Sequence, residues 1–218
     1  DAHWDWWTSY RELISESREL QSGMNSYYMD MMGHLLVSED ENTVCSPINT
    51  YIAFAMLAEV SDGNTRQQIL DMLGVKDIDT LRENVSSLWK SNYVDTPVLK
   101  SVLANSLWLN SNVDYIDSTL KRLAEQYYAS TFMGIPGSAE MNQALQKWTD
   151  DNTGGLLTEY TKEMSMDSDT VLEILSTIYF KAMWVADFQE NKTTQEIFHG
   201  TAGDSNVDMM HRTDMSSV

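Results

Sequence analysis

The sequence predicts a mixed fold of the α+β class, on three observations. Two helices with explicit start and stop signals lie almost back to back between Cys45 and Gly74. Two long apolar runs without internal turn signals, Val98 to Leu109 and Thr170 to Val185, read as long strands buried in a sheet. Several other segments carry apolar residues at helical spacing.

Along the chain, residues 1 to 22 read as a polar N-terminal extension holding His3-Trp4-Asp5-Trp6-Trp7. A helix is expected from Asn25 to Val37, with Tyr28, Met31, Met32, Leu35 and Leu36 on its inward stripe. Glu39 to Asn42 reads as an acidic turn and Thr43 to Cys45 as a very short strand. Ser46 is placed to cap the next helix, with Pro47 in its first turn where no N–H partner is needed. That helix is apolar nearly all round, so it is expected to be buried on every side. Asn64 with Gln67 reads as a capping box for the helix after it, and Gly74 as its left-handed stop.

Asp79 to Trp89 is expected to be an amphipathic helix through Leu81, Val85, Leu88 and Trp89. After the first long strand comes a helix from Asp114 to Tyr128, with Ile116, Leu120, Leu123, Ala124 and Tyr127 at helical spacing. A strand from Ser130 to Ile135 ends at Pro136-Gly137, and a helix from Ser138 to Asn152 turns Met141, Ala144, Leu145 and Trp148 inward before Gly154-Gly155. Past the second long strand, Thr193 to His199 and Val207 to Met210 read as short strands.

Composition narrows the function. The 14 basic against 33 acidic residues give a formal net charge of -19, which repels phosphate backbones and anionic membranes, so neither nucleic acid nor membrane is an expected partner. No run of apolar residues is long enough to span a bilayer. The single cysteine, Cys45, excludes an internal disulfide framework and reads as a buried structural thiol. The start at Asp1 suits a removed leader and suits an arbitrary boundary equally. The Trp4, Trp6 and Trp7 cluster reads as terminal packing rather than a sugar platform. His199, His211 and Asp208 lack short metal-ligand spacing, and the 14 methionines read as core filling, so no metal or other cofactor is expected. Asp150-Asp151 and Asp167-Ser168-Asp169 read as charges at element ends. No Ser/His/Asp order, phosphate loop or thiol motif stands out, and no catalytic residue is expected.

Several motifs, in order, resemble those of the serpins. Ser46-Pro47-Ile48 through Ala53-Phe54-Ala55-Met56-Leu57 is similar to helix B of that family, and Gly63-Asn64-Thr65 through Leu73-Gly74 to helix C. Ala104-Asn105-Ser106-Leu107-Trp108 resembles the second strand of sheet A, and Ile178-Tyr179-Phe180-Lys181-Ala182-Met183-Trp184 with Phe188 its third. Trp148 with Asn152-Thr153-Gly154-Gly155 resembles the end of helix F, while Phe198-His199 and Met209-Met210-His211 resemble sheet C strands. The likeness runs from about residue 23 to 215 and reads as a bacterial-type member.

The resemblance implies a serpin-like α+β fold: helices A to F, part of the central sheet A and short sheet C strands. Residues 23 to 218 would be the N-terminal part of one domain, without the C-terminal half and the reactive-centre loop. It implies an inhibitor of a serine or cysteine protease, secreted or at the cell surface, acting as a suicide substrate whose cut loop inserts into sheet A. A non-inhibitory binding or carrier serpin is the alternative. Were the chain complete as it stands, its open strand edges would promote association. Ser46, Asn49, Asn105, Ser176 and Thr177 would fall in the shutter beneath sheet A, and Trp184 in the breach. Asn49 stands where serine is common and Ser176 where asparagine is common, a swap of partners that would preserve the hydrogen bonds of the region. Ala182 replaces a usual glycine and Asp208 a usual proline. The segment matching the basic helix D carries Lys76, Arg82 and Lys90 against Asp77, Asp79, Glu83 and Asp95, which disfavours activation by a polyanion.

Overall fold

The computed structural model describes residues 24–36, 43–184 and 188–211. The tryptophan cluster near the N-terminus and the acidic turn at Glu39 to Asn42 lie outside these residues. Contacts divide the chain into two units, Asp1–Phe180 and Lys181–Val218.

In the first unit, residues 24–35 are helical (α1). The inward stripe is shifted from the expected one: Met24 and Tyr27 are buried, while Met32, Leu35 and Leu36 are exposed. Residues 43–45 form no strand, and Cys45 is half-buried. Helix α2 spans Pro47–Val60, capped by Ser46, whose hydroxyl accepts from the Asn49 N–H, with proline at the first position. It is not covered all round. Tyr51, Ile52, Ala55 and Met56 are buried, whereas Leu57 and Val60 are exposed. Helix α3 spans Gly63–Met72 with Asp62 at its N-cap. Asn64 lies inside this helix, so the expected capping box does not form. Its end is as expected: Gly74 has φ +69, Val75 N–H donates to Leu70 C=O, and Gly74 N–H to Asp71 C=O.

Helix α4 spans Ile78–Asn92, capped by the Asp77 carboxylate on Thr80 N–H, and buries Leu81, Val85 and Leu88. A short strand β1, Val94–Asp95, pairs antiparallel with the start of β2, Leu99–Asn110. Strand β2 is buried continuously from Asn105 to Leu109, so its residues face packed layers on both sides. Helix α5, Asp117–Gln126, is the crossover that lets β3, Ala129–Gly134, pair parallel with β2. Ile116, expected inward, is 71% exposed just before α5.

Helix α6, Ala139–Asn152, is capped by Ser138 on Met141 N–H and followed by a single turn, α7, Thr158–Thr161. Strand β4, Leu172–Ala182, also pairs with β2. It is half-buried up to Thr177 and largely exposed beyond, and among the described residues β2 is its one strand neighbour.

The sheet separates two apolar layers. Leu103, Leu107 and Leu109 of β2, with Leu172 and Ile174 of β4, pack on the side of α2, α4 and α5. Trp108 and Leu175 pack on the other side with Met141, Leu145 and Trp148 of α6. Alternation along β4 therefore places Ser176 on the α2 face and Thr177 on the α6 face.

One glycine is held by this packing. Gly154 has φ +61, and a Cβ there would come within 2.6 Å of the Tyr179 ring. Gly154→Ala should cost about 2 kcal/mol, from left-handed strain plus overpacking. An unchanged urea midpoint would show instead that the turn relaxes freely.

The second unit holds a hairpin, β5 (Thr194–Gly200) with β6 (Gly203–Met209), in register from Thr194↔Met209 to Gly200↔Gly203. Polar pairs run along it: His199 Nδ1 lies 2.8 Å from Asp204, Gln195 bonds Asp208, and His211 Nε2 lies 2.5 Å from Glu196. His199, His211 and Asp208 thus engage three different partners and are not gathered into one site.

Candidate functional site: a polar chain beneath two strands

On the α2 face of the sheet a line of hydroxyls and amides runs through the apolar layer. Ser46 Oγ donates to Asn49 Oδ1 at 2.6 Å. Asn49 Nδ2 donates to Ser176 Oγ at 2.8 Å, and Ser176 Oγ donates to Asn105 Oδ1 at 2.8 Å. Asn105 Nδ2 then donates to the Tyr127 carbonyl at 3.0 Å. The chain joins the start of α2 to β4, to β2 and to the residue after α5. Asn105 is 1% exposed, so its amide depends on these partners. An orphaned group there costs about 1–3 kcal/mol.

Sequence reasoning placed Ser46, Asn49, Asn105 and Ser176 together, and they meet. Thr177 does not join them. Its Oγ1 is buried on the opposite face with no hydrogen-bond partner among the described residues. Trp184 belongs to the second unit, 65% exposed and edge-on to Phe188 at 5.4 Å. Asn49 Nδ2 is the donor to β4, and a serine hydroxyl receives it. The exchanged pair is therefore bonded directly. Asn49→Ala and Ser176→Ala should each destabilise the chain, and together by less than the sum. Additive losses in thermal stability would remove the direct tie.

A second polar cluster escaped the sequence reading. Glu59, 2% exposed in the last turn of α2, accepts four hydrogen bonds. Arg82 of α4 donates through Nε at 2.8 Å and Nη2 at 2.7 Å. Arg122 of α5 donates through Nε at 2.8 Å, and Tyr127 Oη at 3.1 Å. Each carboxylate oxygen thus receives two donors, which satisfies a buried charge. Burial alone raises the Glu59 pKa. Hydrogen bonds from Arg82 and Arg122, with the Arg82 charge, outweigh it and hold the pKa below the usual carboxylate range. Burial first, and then the Glu59 charge, push the Tyr127 phenol well above its ordinary value. One signal was available. Glu59 lies on the same helical face as Ile52, Ala55 and Met56, and a charge on a buried face requires a partner.

Among known proteins, the family model Serpin (serine protease inhibitor) matches residues 22–218. The chain belongs to the serpin family. Serpin-ZX of Arabidopsis thaliana is 29% identical over 189 residues, covering 84% of this chain and 48% of that protein. Alpha-1-antiproteinase of Rattus norvegicus is 26% identical over 216 residues, covering 95% and 52% respectively. The solved structure of Arabidopsis AtSerpin1 in its native stressed conformation superposes with a TM-score of 0.69 at 26% identity, over 93% of this chain and 52% of that one. This serpin chain therefore has the serpin fold and spans about half the length of the relatives it matches. These three relatives come from a plant and a mammal, so they lend no support to the bacterial-type reading. At the level of the family, serpins are inhibitors directed at proteases rather than enzymes.

Proposed function

We propose that this chain is the N-terminal half of an inhibitory serpin: a suicide substrate of a serine or cysteine protease, with its reactive-centre loop in sequence beyond this chain. The observation that carries the reading is the Ser46–Asn49–Ser176–Asn105 chain. It ties adjacent strands β2 and β4 to the helix beneath them through four exchangeable polar groups. Such bonds hold strands closed, and they reform with an incoming strand at low net cost because each is worth only about 1 kcal/mol. Ser46, Asn49, Asn105 and Ser176 act as the shutter, Thr177 supports the opposite face, and Trp184 marks the breach. The native stressed conformation described for the Arabidopsis relative fits a sheet built to open.

The protein works secreted or at the cell surface, without cofactor, nucleic acid or membrane. Polyanions do not activate it, because Arg82 on α4 is already engaged by Glu59 and Asp79. The test is incubation of the longer protein containing this chain with serine and cysteine proteases of differing specificity. An SDS-stable covalent complex is expected. Cleavage or binding without such a complex would overturn inhibition and favour a carrier serpin.

A further inference from the structure

We infer that Tyr127 couples the Glu59 cluster to the Asn105–Ser176–Asn49 chain, so that the α4–α5 face sets how tightly β4 is held to β2 and α2. The two clusters meet in this one residue. Its backbone carbonyl accepts from Asn105 Nδ2, and its hydroxyl donates to Glu59 Oε2. Tyr127 is fully buried, and residue 128 behind it has φ +53, a left-handed conformation that costs a non-glycine residue energy. Both ends of Tyr127 are thus held. The buried ring has no space to swing free of Glu59, so its position and that of the peptide receiving Asn105 are set together.

The polar path runs in one sense up to the Tyr127 carbonyl, and the Tyr127 side chain itself bridges from there to the Glu59 cluster. Ser46 donates to Asn49, Asn49 to Ser176, Ser176 to Asn105, and Asn105 to the Tyr127 carbonyl. From Tyr127 the hydroxyl bonds Glu59, which also binds Arg82 and Arg122. Arg122 is further fixed by Thr119 Oγ1, and Arg82 by Asp79. Three elements (α2, α4 and α5) therefore converge on one carboxylate and one phenol, while β2 joins through Asn105 at the Tyr127 carbonyl and β4 through Ser176. Polarisation strengthens the hydrogen bonds within each cluster, and between the clusters the packed, doubly bonded Tyr127 is the mechanical link. Contiguity alone is not coupling; the coupling must be measured as a departure from additivity.

The experiment uses the full chain and amide hydrogen exchange. Glu59→Gln keeps the shape and removes the charge. Tyr127→Phe removes only the hydroxyl and leaves the bonds from Arg82 and Arg122 to Glu59 in place, so it tests the link without unpairing a buried charge. Leu145→Ala, in the α6 layer, serves as a control with no polar link to the chain. With concentrations of urea chosen to match global stability, Glu59→Gln and Tyr127→Phe should each raise exchange of the β4 amides around Ser176 about tenfold over the control. In a Tyr127→Phe background, Glu59→Gln should add no further rise in β4. Equal β4 exchange in Tyr127→Phe and Leu145→Ala would overturn the coupling, as would independent multiplication of the two network variants. The readout needs no protease, so failure of covalent complex formation and failure of this coupling are separate results.

Discussion

Glu59→Ala is expected to cost about 3 kcal/mol at neutral pH, the low end for breaking a buried ion pair. Removal of the carboxylate leaves the Arg82 and Arg122 guanidinium groups facing each other, and strips Tyr127 Oη of its acceptor. The cost stays at the low end because both arginines reach solvent, with side chains 19% and 35% exposed. Urea unfolding at neutral pH measures it. The pH dependence follows from the sign of the shift. Glu59 has a folded pKa below its unfolded value of about 4.3, so its stabilisation is present above that value and lost as pH falls through the folded one. The gap between wild type and Glu59→Gln should therefore be widest near neutrality and shrink steadily below about pH 4. A gap that stays constant down to strong acid would mean that the carboxylate gains nothing from its two arginines.

Trp108→Ala is expected to cost about 4 kcal/mol, in the range of large aromatic deletions from a core. Trp108 is fully buried. Its ring stacks on Phe132 of β3 at 4.1 Å and meets Trp148 of α6 edge-on at 6.4 Å. Its Nε1 donates to Ser106 Oγ at 2.9 Å. One side chain thus joins β2, β3 and α6, and its loss leaves a cavity together with an unpaired hydroxyl. Beyond the shift in urea midpoint, amide exchange across Ala139–Asn152 should rise, because α6 loses its central apolar dock. A loss below about 1 kcal/mol would mean that α6 settles into the gap.

How much was legible in the sequence depended on the range of the interaction involved. Ser46 with Pro47, Ser138 and Gly74 set helix ends through bonds spanning a few residues, and each starts or stops a helix in the structure. The Asn64 capping box failed because Asp62 and Gly63 begin that helix two residues earlier than the box requires. The α1 stripe failed because two apolar sets compete on one helix, and only the neighbouring Tyr51 and Thr50 select Tyr27 as the buried one. The four residues of the polar chain were legible through family resemblance. Nothing local unites them, since Asn49 and Ser176 stand 127 positions apart.

The sequence by itself determined the α+β class, most element types and the net charge of -19, because periodicity, capping chemistry and composition are local or summed properties. Only the tertiary structure decided which polar groups meet. Ser176 joins the chain and Thr177 does not because strand pleating sends them to opposite faces. Glu59 remains ionised because α4 and α5 deliver Arg82 and Arg122 from 23 and 63 residues away. Burying a carboxylate is unfavourable until those partners arrive together, and only the packed fold brings them there.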